Sequence, residues 1–96
     1  LRRANAQLRS RNGESTVVRT GHLLIEMSSL KLRHDREAQH IAIDITQDEL
    51  ADWVGATRES TSRALRRFRT AGVLRTARGC IIVDDLAGLV AVVESS

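Results

Sequence analysis

Apolar residues recur along the chain with two different periods, and the switches between them mark out its elements. From 14 to 34, Val17, Val18, Leu23, Leu24, Met27 and Leu30 return at roughly helical spacing, which predicts one long helix. Gly21 lies inside that run and disfavours it by about 1 kcal/mol relative to alanine. From 40 to 45, Ile41, Ile43 and Ile45 alternate, the period of a short half-buried strand. Leu50, Ala51, Trp53 and Val54 then make a broad apolar helix face. Thr61, Ala64, Leu65 and Phe68 follow at i, i+3, i+4 and i+7 and define the buried side of a second short helix. Two β-like runs, 73–76 and 80–83, flank Ala77-Arg78-Gly79 as the arms of a compact hairpin. Leu86, Leu89, Val90 and Val93 restore helical spacing and predict a last helix.

Local chemistry sets the boundaries. Thr46-Gln47-Asp48-Glu49 is a capping-box pattern, in which the Thr46 hydroxyl accepts from the Glu49 amide and the Glu49 carboxylate accepts from the Thr46 N–H. Asp48 and Glu49 also sit where the helix dipole favours negative charge. Gly55 suits the left-handed residue that ends a helix sharply. Only Ala56 separates it from Thr57, an N-cap for the next helix. Ala71-Gly72 closes that helix, and Asp84 or Asp85 caps the last one. The polar, basic stretch 1–11 and the Asn12-Gly13 turn signal read as the end of an upstream helix followed by a hinge. Over 14–96 the order is helix, strand, helix, tight turn, helix, hairpin, helix. It predicts a mainly α fold with a small β-hairpin wing, a winged helix-turn-helix.

Composition narrows the function classes. Hydrophobic residues at 42% support one small core, and only Trp53 and Phe68 are aromatic, so Leu, Ile, Val and Ala must fill it. Nothing approaches an apolar run of about 18 residues, the length of a membrane span. The chain opens at Leu1 with neither an initiator Met nor a signal-peptide pattern, and reads as an excerpt of a longer cytoplasmic protein. Cys80, the single cysteine, lies in the apolar run Cys80-Ile81-Ile82-Val83 and is expected to be a small core residue. His22, His34, His40 and Cys80 lack metal-ligand spacing, so no metal or cofactor is assigned. The net charge of +3 is unevenly spread: residues 57–79 carry seven arginines against Glu59 alone, a net +6, and the rest of the chain is −3. A concentrated positive field of this kind suits a surface that meets phosphate.

Two short helices joined by a tight Gly-containing turn form a helix-turn-helix unit. A duplex major groove, about 12 Å wide, admits one helix, and the second helix of the unit enters by its N-terminal end. That end carries Arg58, Glu59, Ser62 and Arg63, the expected base-reading set. An Arg guanidinium donates two hydrogen bonds to guanine O6 and N7, and a Glu accepts from cytosine N4, so the set suits G·C-containing half-sites. Arg58 projects toward the edge of the buried face and reaches the groove by its length. Thr57, Ser60 and Gln47 are the expected phosphate contacts at the helix starts, and Arg78 at the hairpin tip is placed for a phosphate or the minor groove. Arg66, Arg67 and Arg69 add mainly non-specific, salt-dependent affinity for phosphate. The competing account of Glu59 and Arg63 is an i,i+4 salt bridge worth about 0.3–0.5 kcal/mol.

Over 45–89 the sequence resembles the C-terminal domain of the cyclic-AMP receptor/Fnr (Crp/Fnr) family of bacterial transcription regulators. Thr46-Gln47-Asp48-Glu49-Leu50-Ala51, Gly55 and Thr57-Arg58-Glu59-Ser60-Thr61-Ser62-Arg63-Ala64-Leu65 carry the resemblance, and Ala71-Gly72-Val73-Leu74 looks like the family's lead into the wing. The resemblance implies that Arg58, Glu59 and Arg63 read bases, and that 1–13 is the end of a long dimerisation helix with its hinge. It also implies a homodimer of the full-length protein on a palindromic double-stranded DNA operator, with half-sites about 34–36 Å apart. RNA polymerase becomes a candidate further partner. This fragment alone, lacking most of the dimer helix, is expected to be a monomer.

Two residues depart from the family pattern. Thr61 stands where the family usually has Val, and its hydroxyl is expected to bond a backbone carbonyl one turn earlier. Trp53 stands where an aliphatic residue is more usual. The family's N-terminal sensor is not in this sequence, so no cyclic nucleotide, haem or iron–sulfur cluster is assigned. A winged-helix protein–protein interaction module is the alternative function, and steep salt dependence with loss of binding in Arg63→Ala separates the two. The aromatic platform that single-stranded RNA recognition uses is missing, and no nucleophile–base–orienter spacing marks an enzyme.

Overall fold

The structure is a computed structural model and describes residues 13–96. Its elements in chain order are α1 (Gly13–His34), β1 (Ile41–Ile43), α2 (Gln47–Val54), α3 (Arg58–Thr70), β2 (Leu74–Ala77), β3 (Cys80–Val83) and α4 (Leu86–Glu94). The expected upstream helix end and Asn12 lie outside the described residues, and Gly13 is already the first residue of α1. The predicted architecture is present: a mainly α domain with a hairpin beside its helix-turn-helix pair.

Helix α1 packs against α4, α3, β1 and α2. A methyl group added at Gly21 would fall inside the Val93 side chain of α4 and stand 3.1 Å from Cζ of Phe68 on α3. The glycine that weakens α1 locally therefore lets three helices close on one point, where Phe68 is fully buried. Thr20, Leu24 and Ser28 continue the same buried stripe. Leu30, expected on the apolar face, is instead 51% exposed. It lies about 200° around the helix from Ser28, at about 100° per residue, and so faces away from the stripe.

The same geometry corrects the reading of α2. Leu50, Ala51 and Val54 are buried, but Trp53 is 68% exposed. It falls one residue short of Val54 around an eight-residue helix and stands at the rim of a cleft shared with Leu23 and Glu26 of α1. The core consequently relies on Phe68 as its one large aromatic, surrounded by Leu, Ile and Val.

The hairpin gains a third strand. The sheet order is β1-β3-β2, all antiparallel, with Ile41 opposite Val83 and Ile43 opposite Ile81 on one side, and Leu74 opposite Val83 on the other. Ile41, Ile43, Leu74, Ile81 and Val83 all turn inward. β1 ends at Ile43 rather than Ile45, because the Ile45 N–H bonds back to the Ile43 carbonyl at 2.9 Å and turns the chain toward Thr46. Ala77 pairs with Cys80, so the hairpin turn is the two residues Arg78-Gly79. Cys80 is half-buried at the wing tip and not a core residue, since the alternation of β3 gives the inward positions to Ile81 and Val83. Asp85 caps α4, its Oδ1 accepting from the Gly88 N–H at 2.9 Å.

Candidate nucleic-acid interface

The helix-turn-helix is fixed at each of its boundaries. Thr46 Oγ1 accepts from the Glu49 N–H at 3.0 Å, and the Thr46 N–H donates to Glu49 Oε1 at 2.9 Å, completing the capping box. Gly55 adopts φ 78° and ψ 35°, a left-handed conformation that glycine takes without strain. The N–H groups of Gly55 and Ala56 then both return to the Ala51 carbonyl, at 2.9 and 3.0 Å. Arg19 of α1 donates through Nε to the Val54 carbonyl at 3.1 Å and holds the same helix end. Thr57 caps α3, its Oγ1 accepting from the Ser60 N–H at 3.0 Å. These caps and the tight turn set α3 against α2, and the burial of Thr61, Ala64, Leu65 and Phe68 sets its rotation.

That rotation puts Arg58, Glu59, Arg63, Arg66 and Arg67 in solvent. Arg63 is loosely tethered within its own helix, with Nη2 donating to Ser60 Oγ at 3.2 Å and Nη1 lying 3.9 Å from Glu59 Oε2. The i,i+4 pair exists, but at that distance in solvent it holds neither side chain firmly. Arg66 and Arg67 are exposed and make no side-chain hydrogen bond or ion pair among the described residues. Ser62 is half-buried, and its hydroxyl donates to Gln47 Oε1 at 3.0 Å, across the turn to α2. Gln47 also accepts from Arg58 Nη2 at 3.4 Å, while Arg58 Nη1 donates to Asp48 Oδ1 at 2.9 Å. The expected edge position of Arg58 is thus observed, and its guanidinium lies along the first turn of α2.

Arg78 stands at the wing tip, beside a cleft of about 230 Å³ that it lines with Arg58, Asp48 and Cys80. The cleft joins the wing to the start of the helix-turn-helix and brings Gln47 and Arg58, of the sequence-expected residues, beside Arg78. Two further arginines of the basic stretch have partners within the fold. Arg75 donates twice to Asp84, from Nε to Oδ2 at 2.7 Å and from Nη2 to Oδ1 at 3.0 Å. His40 Nδ1 reaches Asp84 Oδ1 at 2.8 Å from the other side. The hydrogen bond from Arg75 holds the Asp84 carboxyl below the usual carboxylate range, with His40 helping, and the same pairing raises the Arg75 guanidinium. Arg69 donates to Thr76 Oγ1 at 3.3 Å and braces α3 against β2.

A family model described as a Crp-like helix-turn-helix domain matches residues 18–92. The chain belongs to that family. It is similar to the transcriptional regulator SdrP of Thermus thermophilus, 35% identical over 72 residues, which are 75% of this chain and 35% of the relative. The crystal structure of a CRP/FNR-family transcriptional regulator from the same organism matches with a TM-score of 0.67 and 32% identity, over 81% of this chain and 40% of that one. The reduced CO-sensing protein of R. rubrum shares the fold at a TM-score of 0.67 and 22% identity, over 88% of this chain and 39% of its own. The chain therefore spans well under half the length of these relatives. No helix among the described residues is long and apolar enough to cross a membrane.

The sequence reading of this Crp-like domain missed two contributions. Asp48 was visible only as a helix-dipole acid, and its bond to Arg58 depends on the angle between α2 and α3. Asp84 was visible only as a candidate cap, whereas it gathers Arg75 and His40 across the sheet. Neither pairing has a sequence spacing that announces it.

Proposed function

We propose that this Crp-like domain reads G·C-containing half-sites of double-stranded DNA, with α3 in the major groove and the wing tip on the flanking backbone. The observation that carries the reading is the division of α3. One face is buried, and the other presents Glu59, Arg63, Arg66 and Arg67 to solvent, while Arg58 at the start of the helix shares a cleft with Arg78. In this reading Arg63 donates to a guanine, Glu59 accepts from a cytosine, and Arg58 and Ser62 contact base edges at the start of the helix. Thr57, Ser60 and Gln47 position the backbone, joined by Arg66, Arg67 and Arg78. The Gln47 carbonyl is turned toward Ser62 and Arg58, which leaves its amide hydrogens to donate outward.

For the parent protein we propose a bacterial regulator acting in the cytoplasm on a palindromic operator. Residues 1–13 would supply the end of its dimerisation helix and the hinge, 14–96 would form the DNA-binding domain, and the dimer would match two half-sites one helical turn apart. RNA polymerase is a further partner on this reading, and the isolated chain is a monomer.

The test is fluorescence anisotropy on duplexes selected from a random pool, run across a salt series beside Arg63→Ala. The expected result is a steep fall of log K with log salt, and a loss of about 1–3 kcal/mol in the variant on G·C-containing winners alone. Weak binding without preference by both proteins would move Arg63 to the role of a plain surface residue, and a protein partner for the domain would take precedence.

A further inference from the structure

An acid stands inside the surface assigned to DNA. Asp48 lines the cleft between the first turn of α2 and the wing tip, together with Arg58 and Arg78. A solvated carboxylate there repels phosphate, and its value to the α2 dipole is already supplied one residue later by Glu49, which completes the cap. What Asp48 does in addition is hold a guanidinium. Its Oδ1 accepts from Arg58 Nη1 at 2.9 Å, while Gln47 Oε1 accepts from Nη2 at 3.4 Å.

From this juxtaposition, and resting on the DNA-reading function proposed above, we infer that Asp48 is a specificity-determining residue that acts through Arg58. A guanidinium has five N–H donors in a rigid fork. With two directed to α2, three remain to meet a base edge, and the side chain has less rotamer freedom to lose on binding. The neighbouring negative charge also makes Arg58 a poor partner for a phosphate, which carries no sequence information. Asp48 thus gives up affinity for arbitrary DNA in return for a reading geometry biased toward one arrangement of Arg58, a form of discrimination by making the wrong complex worse. Gln47 supports the arrangement from the other side by accepting from Ser62 Oγ at 3.0 Å. Asp48 is a positioning residue for Arg58 and need not touch DNA.

The experiment compares this chain with Asp48→Ala, Arg58→Ala, the double variant and Asp52→Ala. Asp52 is an exposed acid near the end of α2 and controls for loss of one negative charge. Each protein is titrated by anisotropy against the selected duplex and a scrambled duplex of equal composition, across a salt series. Asp48→Ala is expected to bind the scrambled duplex about 3- to 10-fold more tightly and to steepen the salt slope by about 1. Its selected-to-scrambled ratio should fall about tenfold, with the loss confined to the base that Arg58 faces. Asp52→Ala should keep the ratio, and in the Arg58→Ala background removal of Asp48 should change it less than about twofold.

If Asp48→Ala melts well below the parent chain, Asp48→Asn, which keeps the shape and removes only the charge, is read out in the same way. An unchanged ratio in these variants, with the parent chain still discriminating, overturns the role of Asp48 alone. So does an equal fall in the Arg58→Ala background. A parent chain that discriminates between no duplexes overturns the DNA-reading function itself, and the role of Asp48 goes with it.

Discussion

Along the thirteen residues of α3 the two sides differ in what holds them. On one side Thr61, Ala64, Leu65 and Phe68 are fully withdrawn from solvent and meet α1 and α2. On the other, Arg63 has only local tethers and Arg66 and Arg67 have none among the described residues. A few residues on, Arg75 is as basic as any of these, yet it is clamped twice to Asp84. Membership of the basic stretch therefore says little about role. Arg75, clamped twice to a carboxylate across the sheet, holds the fold, whereas Arg66 and Arg67, standing in solvent on a rigid helix, have their donors left for a ligand.

The comparison makes separable predictions, because the buried side should govern stability and the exposed side binding. The largest effect is expected for Phe68→Ala, which removes the only large aromatic of the core. It should destabilise the domain by about 3–5 kcal/mol in denaturant unfolding. Next comes Gly21→Ala, whose new methyl meets Val93 and Phe68. Overpacking of this kind costs about 1–3 kcal/mol, whereas helix propensity alone would make the alanine favourable by about 1 kcal/mol. A stabilised variant would show that α1, α3 and α4 do not close as tightly as the structure has them. Arg63→Ala reverses the pattern: binding should weaken by about 1–3 kcal/mol while unfolding free energy stays within about 0.5 kcal/mol.

Which of these features could be read from the chain depends on the range of the interaction that makes them. The capping box at Thr46, the left-handed Gly55 and the Thr57 cap involve residues within four of one another, and each was legible. The buried side of α3 was legible too, because a single helix period fixes it. Trp53 and Leu30 were misplaced because they lie just beside, or opposite, a stripe whose position depends on neighbouring helices. The third strand was visible as an isolated alternation, but its pairing with β3 joins residues some forty positions apart. The Asp48–Arg58 and Asp84–Arg75 pairs need the assembled angles of two elements. The same limit applies to Thr61, whose hydroxyl is expected to bond a carbonyl one turn back but has no partner among the described residues.

Thr61 therefore offers a finer test of the division of α3. A fully buried hydroxyl without a hydrogen bond is a liability, and replacing it by an isosteric methyl removes that penalty. Thr61→Val should stabilise the domain by about 1 kcal/mol and leave the selected-to-scrambled DNA ratio where it was. Thermal unfolding and anisotropy on the same sample decide it. A shift in base preference would mean that the buried side sets more than the rotation of the helix.

The smallest effect concerns the charges that the fold keeps for itself. Asp84 has its carboxyl held below the usual range, chiefly by the hydrogen bond from Arg75. A carboxyl whose folded-state value is depressed contributes stability above its unfolded value, about 3.9, and that contribution is lost as pH falls through the folded value. The melting temperature should therefore fall on acidification below about pH 4. In Asp84→Asn it should start slightly lower at about pH 6 and fall less steeply, since other carboxylates still titrate. Base discrimination near neutral pH should be the same in both proteins, because Arg75 is bonded to Asp84 and is not among the residues proposed to meet DNA. If Asp84→Asn instead alters discrimination while leaving the melting curve unmoved, the freed Arg75 is reaching DNA. The line between arginines that hold the fold and arginines proposed to read DNA would then have to be drawn through the sheet as well as through α3.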